Sequence, residues 1–229
     1  MTGKIKGISS STLKMIAVIS MLIDHFGVGI YRWLPGYEKQ IYECIRFAGR
    51  IAFPIYCFLL VEGFTHTKNV RKYIGRLFLF AVISEVPFDM TSRGTFIDSS
   101  AQNVFFTLTT GLIVIALLEK FKGYDIKSLI KQAVVILFGA LFAQFLDFDY
   151  HYLGVLFIVM FYYLKTLSAW ERDIIGAIAF SYEVTAPLAF IPIHFYNGKR
   201  GWNGKLFFYW IYPLHLLLIG LIRIYILKA

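Results

Sequence analysis

The chain has 229 residues, of which 58% are hydrophobic and 16% are charged, and its mean hydropathy is +0.65. Soluble domains carry about 25% charged residues, so this composition excludes a soluble protein. The net charge of +9 does not predict nucleic-acid binding, because the basic residues cluster in short links where charge sets membrane orientation. The composition therefore predicts one integral membrane domain over residues 1–229.

Apolar segments of about 20 residues, the length that crosses a bilayer, follow one another along the chain. They predict an all-α, polytopic membrane bundle of about eight transmembrane helices. The predicted spans are 12–32, 43–65, 72–90, 103–121, 128–146, 151–167, 173–195 and 205–227. A seven-span alternative stays open, because the sixth segment is short and Pro187 and Pro192 interrupt the seventh.

Lysine and arginine in the short links predict the orientation, because such links tend to stay cytoplasmic. The links on this side hold Lys4, Lys6, Lys14, Lys68, Arg71, Lys72, Arg76, Lys120, Lys122, Lys127, Lys131, Lys165 and Arg172. The opposite links hold Asp89, Asp98, Asp147 and Asp149, and the link with Lys199, Arg200 and Lys205 is the exception. With eight spans, both termini are predicted to be cytoplasmic. The protein is expected to lie in a bacterial cytoplasmic membrane.

Ionisable residues lie within otherwise apolar stretches of these spans, among them Asp24, His25, Arg50, Glu85 and His215. A charge in hydrocarbon costs a few kcal/mol or more unless it is paired or wetted, so such residues usually mark a site. At about 1.5 Å per helical residue, four of them fall between the bilayer middle and its outer half. The sequence predicts one polar cavity that combines a base, an orienting carboxylate and a fixed cation.

Structural roles compete with this interpretation at each position. Arg50 and Glu85 could form a buried ion pair that only fixes helix packing. His215 could bind a carbonyl freed by the proline two residues before it. Asp24 and His25 are adjacent and point about 100° apart on a helix, so one of them could serve packing while the other serves chemistry.

Glu62 and His66 lie one helical turn apart near the predicted cytoplasmic end. They could form a ligand-entry pair. An interfacial salt bridge of this pair with Lys68 or Arg71 is the favoured alternative.

Polar residues near the opposite links admit similar alternatives. Asn103 could cap the fourth span or, with Gln102, donate to a substrate carbonyl. Asp147, Asp149 and His151 have a spacing that could bind a metal, but solvated loop charge is the preferred interpretation on so short a link. No metal is predicted.

Six short motifs spread over the chain resemble the TraX family. They are Leu13-Lys14 through Ile23-Asp24-His25, Arg46-Phe-Ala-Gly-Arg50-Ile-Ala-Phe-Pro54, Leu60-Val-Glu62-Gly-Phe64, Ser84-Glu85-Val-Pro87-Phe-Asp89, Gln102-Asn103-Val-Phe-Phe-Thr107 and Tyr212-Pro-Leu-His215. That family is named for a conjugative-plasmid protein that N-acetylates the pilin amino terminus. It is similar to the wider transmembrane acyltransferases, which include acyltransferase family 3.

The resemblance implies an acetyltransferase that moves an acetyl group from cytoplasmic acetyl-CoA to an amine or hydroxyl acceptor at or across the membrane. Acyltransferase family 3 has an arginine, ten intervening residues and a catalytic histidine on its first helix, and Lys14 and His25 have this spacing. The basic cytoplasmic face near Lys14, Lys68, Arg71 and Lys72 is expected to hold the CoA phosphates.

The resemblance also implies roles within the cavity. His25 is expected to act as general base or to accept the acetyl group itself. Arg50, Asn103 or Gln102 would stabilise the oxyanion, and Glu85 or Asp24 would orient a histidine. The acceptor stays open between a peptide amino terminus, a glycan and a lipid. The protein itself is expected to be surrounded by membrane lipid.

Two other classes of function fit the same residues. A small proton-coupled transporter or flippase could use the buried charges as a proton relay, although no repeated half is visible in the sequence. The other class is a structural membrane component of a conjugation or secretion apparatus. Binding of acetyl-CoA discriminates the enzyme from both.

Overall fold

The computed structural model describes residues 7–228, apart from the side chain of Lys205. Lys4 and Lys6 of the predicted basic flank lie outside the described residues. Ten α-helices are present in the described part of the chain: α1 (Ser10–Gly29), α2 (Lys39–Gly49), α3 (Ala52–His66), α4 (Val70–Arg93), α5 (Val104–Lys120), α6 (Ile126–Phe145), α7 (His151–Leu164), α8 (Ala169–Ala179), α9 (Phe190–His194) and α10 (Lys205–Leu221).

The first helix, α1, lies at the centre of the site described below. Its start is fixed by Ser9, whose hydroxyl accepts the backbone N–H of Thr12 at 3.2 Å, because a side-chain oxygen satisfies a donor that the first turn leaves open. Leu13 and Ala17 are fully buried. We call the end of the bundle where α1 begins the N-terminal end. The opposite end is called the cavity end, after the cavity described in the next subsection.

The predicted second span, 43–65, is broken into α2 and α3. Helix α2 ends at Gly49 and α3 starts at Ala52. Two carbonyls at this break accept the Ser20 hydroxyl of α1, at 2.6 Å from the oxygen of Ala48 and 3.0 Å from that of Gly49. Pro54 follows in the first turn of α3, where its missing N–H costs nothing. The break brings backbone and polar side chains together inside the bundle.

The predicted seventh span, 173–195, is a hairpin rather than one helix. Helix α8 ends at Ala179, and the chain returns through a 3₁₀ turn at Ala186–Ala189 and the short helix α9. The two legs pack closely because Gly176 has no side chain: a Cβ there would lie 2.1 Å from the ring of Phe190. Neither leg has the length of a transmembrane helix.

This hairpin reverses the direction expected for the last helix. The carbonyls of Lys199 and Arg200 accept the N–H groups of Ser10 at 2.8 Å and Ser11 at 3.0 Å. The link before α10 therefore lies at the N-terminal end with the other basic links, and its exceptional charge is explained.

The predicted positions of the termini do not fit these contacts. Helix α10 begins at the N-terminal end and finishes at the cavity end, where Arg223 donates to the carbonyl of Thr91 at 2.8 Å. Within residues 7–228 the chain thus begins at one end of the bundle and finishes at the other, so the prediction of eight spans with both termini on one side is not confirmed.

Four helical segments of the described chain are long and apolar enough to cross a membrane: Ser10–Trp33, Lys39–His66, Ile126–Phe145 and Leu206–Leu227. Helix α6 exposes Phe138 at 71% and Phe145 at 80%, which suits lipid contact. The chain is an all-helical membrane protein, as its composition predicts.

Candidate functional site

A cavity of about 220 Å³ lies towards the cavity end of the bundle, against the break between α2 and α3. Helices α1, α4, α5 and α10 and the link before α7 complete its wall. The lining residues are Met21, Asp24, His25, Val28, Arg46, Gly49, Arg50, Ala52, Phe53, Tyr56, Phe88, Ser92, Val104, Asp149, Tyr150 and Tyr212. Two acids, Asp24 and Asp149, and two arginines, Arg46 and Arg50, thus share the wall of the cavity with His25 and with apolar side chains.

His25 and His215 form the most specific polar contact at this cavity. Nδ1 of His25 lies 2.6 Å from Nε2 of His215, and the two rings are nearly parallel, with an interplanar angle of 9° and centroids 4.9 Å apart. His215 is buried, whereas His25 lines the cavity. His25 and His215, which were predicted to lie at a similar depth, are therefore in direct contact.

The hydrogen bonds assign the proton positions in this pair. Nδ1 of His215 lies 2.6 Å from the carbonyl oxygen of Ile211, and a carbonyl can only accept, so Nδ1 of His215 carries the hydrogen. Nε2 of neutral His215 is then an acceptor, and Nδ1 of His25 donates to it. Nε2 of His25 is left as the basic nitrogen. His215 is thus a positioning residue, since it fixes the tautomer of His25.

Asp24 does not orient a histidine, which corrects one of the predicted roles. Its carboxylate accepts a hydrogen bond from Arg46 of α2, with both side chains largely buried. Gly49 is required beside it, because a Cβ at that position would lie 2.2 Å from Oδ1 of Asp24. Arg46 was not among the predicted site residues, although it precedes Arg50 by one helical turn, which places both on one face.

Arg50 lines the cavity as predicted, but its partner is not Glu85. Nε of Arg50 lies 3.2 Å from a carboxylate oxygen of Glu183, in the turn of the α8–α9 hairpin. The hydroxyl of Thr185 in the same turn donates to the carbonyl of Phe47 at 2.5 Å. The hairpin therefore holds Arg50 in place, and no sequence signal pointed to Glu183.

Asp149 and Tyr150 enter the cavity wall from the link before α7. Burial raises the pKa of the Asp149 carboxyl to about 6, and the Asp24 carboxylate acts in the same direction. The ring of Tyr150 stacks on Phe53 with centroids 3.6 Å apart. Asp149 is thus a partly buried residue of the cavity wall rather than a solvated loop charge.

The possible metal ligands on this link do not converge. Asp147 and His151 are 3.8 Å apart and each about half exposed, which fits a weak surface pair. Across residues 7–228, no group of three or more His, Cys, Asp or Glu side chains is placed to hold a metal.

Glu85, Asn103 and Gln102 lie outside the cavity lining. The Asn103 amide nitrogen donates both to the Glu85 carboxylate and to the carbonyl of Ala81, while its amide oxygen caps α5 by accepting the N–H of Phe105 at 3.0 Å. Gln102 donates its amide to the carbonyl of Ser99 at 3.0 Å. The capping alternative is the observed one, since no amide hydrogen of Asn103 remains for an oxyanion.

Lys14 lies on the same side of α1 as His25, with its ammonium 5.5 Å from the ring centroid of Phe208 on α10. Both residues thus face the seam between α1 and α10. The eleven-residue separation of Lys14 and His25 corresponds to about 16 Å of helix.

The other predicted binding residues lie at the N-terminal end. Lys68 is in the link from α3 to α4, and Arg71 and Lys72 are in the first turn of α4, about 25 Å along that helix from the cavity residue Phe88. Glu62 accepts the Tyr196 hydroxyl at 3.0 Å and lies 3.4 Å from His66, rather than pairing with Lys68 or Arg71. Lys68, Arg71 and Lys72 are thus separated from the cavity by most of the length of α4.

Two comparisons with known proteins match this chain. The family model "TraX protein" matches residues 9–223. The chain is 30% identical to "Probable fimbrial assembly protein FimC, serogroup H1" of Dichelobacter nodosus, over 92% of this chain and 94% of that protein. No solved structure matches.

Proposed function

The chain belongs to the TraX family, and from this premise we propose that it is an integral membrane acetyltransferase. It would move the acetyl group of cytoplasmic acetyl-CoA to an amine or hydroxyl acceptor at or across the membrane. The observation that carries the proposal is the hydrogen-bond chain from the carbonyl of Ile211 through His215 to His25. This series of hydrogen bonds leaves Nε2 of His25 as a basic nitrogen at the wall of a polar cavity inside a membrane protein.

The proposed reaction is general-base acyl transfer. Nε2 of His25 accepts the proton of the acceptor amine or hydroxyl as that group attacks the thioester carbonyl, and His215 stabilises the imidazolium that forms. The guanidinium of Arg50 stabilises the oxyanion of the tetrahedral intermediate. The intermediate collapses with breakage of the carbon–sulfur bond, and the His25 proton goes to the departing CoA thiolate.

The size of the cavity supports a particular placement of the donor. A volume of about 220 Å³ is below the 300–1,000 Å³ that pockets for whole drug-sized ligands occupy. It suits an acetyl thioester and the end of a pantetheine arm, and the nucleotide would stay at the N-terminal end. Lys14 is about 16 Å along α1 from His25, a distance that an extended pantetheine arm covers.

Acetyl-CoA binding by the purified protein tests this placement. We expect Lys14→Ala to weaken binding about tenfold or more, since a hydrogen bond to a charged group contributes about 1.5–3 kcal/mol, and Lys14→Arg to retain most of it. Lys131→Ala is the matched control, because Lys131 also lies over a phenylalanine ring, at 5.6 Å from that of Phe121. A wild-type protein that binds no acetyl-CoA would refute the donor assignment.

The membrane topology forms part of the proposal. The N-terminal end is proposed to be cytoplasmic, because it gathers the basic links, now including Lys199 and Arg200. Helix α10 then finishes on the outer side of a bacterial cytoplasmic membrane, with the α8–α9 hairpin re-entrant from the cytoplasm.

Reporter fusions test this topology. Alkaline phosphatase fused after residue 122 is expected to be inactive, and the same enzyme fused after residue 228 to be active, because it folds only outside the cytoplasm. A green fluorescent protein fusion at each position should give the reverse pattern. An inactive phosphatase at residue 228 would restore the eight-span topology.

A role in a pilus or conjugation apparatus is the second candidate. It is favoured by the printed name of the Dichelobacter nodosus relative, a fimbrial assembly protein, and it is compatible with acetylation of a peptide amino terminus. A purely structural component would neither bind nor consume acetyl-CoA, so the same binding measurement discriminates the two.

A further inference from the structure

A second concave site, separate from the cavity, lies between α4, α5 and α6. Its volume is about 630 Å³, which falls within the 300–1,000 Å³ of sites that hold small ligands. Phe78 of α4, Ile113 of α5 and Phe145 of α6 are among the side chains that line it. We call this site the α5–α6 groove.

The α5–α6 groove opens to the hydrocarbon of the membrane. Phe78 and Phe145 line it and remain 52% and 80% exposed, and Ile113 and Phe142 are also exposed. Helix α6 is one of the helices long and apolar enough to cross a membrane, so its exposed aromatic side chains face lipid. An occupant of the groove must therefore be apolar over most of its length.

The length of the α5–α6 groove matches one leaflet of a bilayer. Ser99, Gln102 and Asp147 line it at the cavity end, and Ile113 lines it deeper along α5. From Val104, the first residue of α5, to Ile113 the helix rises about 14 Å, close to half of the hydrocarbon thickness of about 30 Å. The polar end of the groove thus lies at the level expected for a lipid headgroup.

The charge at this polar end is negative. Among the described residues that line the α5–α6 groove, Asp147 is the one with a charged side chain. It is about half exposed, and its Oδ1 lies 3.8 Å from Nδ1 of His151, beyond hydrogen-bond distance. Asp98, next to the lining residue Ser99, adds a second exposed carboxylate. Such a site attracts an ammonium group and repels an anionic headgroup.

The α5–α6 groove and the cavity lie on opposite faces of one wall. The N–H of Gln102 donates to the carbonyl of Asp147 at 3.0 Å, and the N–H of Asp149 donates to the carbonyl of Gln102 at 2.8 Å. Asp149 and Val104 line the cavity, whereas Gln102, Asp147 and Phe106 line the groove. A ligand in the groove would therefore brace the wall that carries Asp149.

We propose that the α5–α6 groove binds a membrane phospholipid with an ammonium headgroup, of the phosphatidylethanolamine type, from the leaflet at the cavity end. An acyl chain follows α5 from Phe106 to Ile113, and the ammonium group lies at the Asp147 carboxylate. This site does not depend on acyl transfer, so it stands or falls separately from the proposed enzyme activity.

Native mass spectrometry of the purified full-length protein tests the headgroup. The probes are phosphatidylethanolamine and phosphatidylglycerol with the same acyl chains. We expect wild type to bind phosphatidylethanolamine about fivefold more tightly, which is the upper end for an exposed ion pair, and Asp147→Asn to abolish this preference. Glu43→Gln, at another half-exposed carboxylate outside the groove, should retain it. Equal binding of the two lipids by wild type, or a preference that survives Asp147→Asn, would overturn the proposal.

A second pair of variants tests the acyl-chain site. Ile113→Trp fills the α5–α6 groove and should weaken phosphatidylethanolamine binding about fivefold or more, because overfilling a packed site destabilises it. Ile130→Trp is the matched control, since Ile130 is an exposed isoleucine of α6 outside the groove. Binding by Ile113→Trp within about twofold of wild type, or an equal loss in Ile130→Trp, would refute this placement. A wild-type dimer that Ile113→Trp dissociates would assign the groove to a second copy of the chain instead.

Discussion

His25→Ala is expected to lower acetyl transfer by about 10²–10⁴-fold, which is roughly 3–5 kcal/mol of barrier, while the protein stays folded and inserted. The physical reason is the loss of the only histidine nitrogen that the hydrogen-bond chain leaves basic at the cavity wall. The measurement is transfer of labelled acetyl from acetyl-CoA in membranes that contain equal amounts of each variant. A covalent acetyl-histidine step would make the loss larger.

His215→Ala separates positioning from proton transfer. This variant should keep part of the activity and shift the pH profile of turnover, because His25 loses the acceptor that fixes its tautomer. His215→Gln should recover some activity, since an amide oxygen can accept the same hydrogen bond. His151→Ala, at an exposed histidine in the link before α7, is the matched control with no expected effect.

Other outcomes would reassign or refute the base. Normal turnover in His25→Ala with loss in His215→Ala would move the base to α10. Normal turnover in both variants would rule out this acyltransferase mechanism.

Arg46→Ala is expected to lower the free energy of unfolding by about 2–4 kcal/mol, because it leaves the Asp24 carboxylate largely buried without its partner. The paired side chains are 23% and 16% exposed, and Gly49 packs directly against Asp24. Thermal unfolding of the detergent-solubilised protein, followed by its helical circular dichroism, measures the effect. The cavity would lose its fixed charge arrangement together with this stability.

Two variants test whether burial is the cause. Lys39→Ala removes the exposed pair of Lys39 with Glu43 on the same helix and should cost no more than about 0.5 kcal/mol. The double variant Asp24→Leu/Arg46→Leu removes both charges and should be far less destabilised than Arg46→Ala, since an apolar pair of similar size can replace a buried ion pair. Equal losses in the single and the double variant would contradict the argument.

The sequence by itself determined the class of protein and most of its helices. Hydropathy and segment length are local properties, so they identified an all-helical membrane bundle, and the motifs identified the TraX family, which the family match confirms. The cost of charge in hydrocarbon was enough to single out Asp24, His25, Arg50 and His215 as residues of one region.

Tertiary structure alone decided how those residues are paired. The pairing of His25 with His215, of Asp24 with Arg46 and of Arg50 with Glu183 depends on which helix faces meet. These helix contacts depend on the break between α2 and α3 after Gly49. They also depend on the α8–α9 hairpin, where Gly176 has no Cβ and so permits a close approach. Periodicity places a residue on a face of its own helix, but the partner across a crossing is set by the packing of the whole bundle.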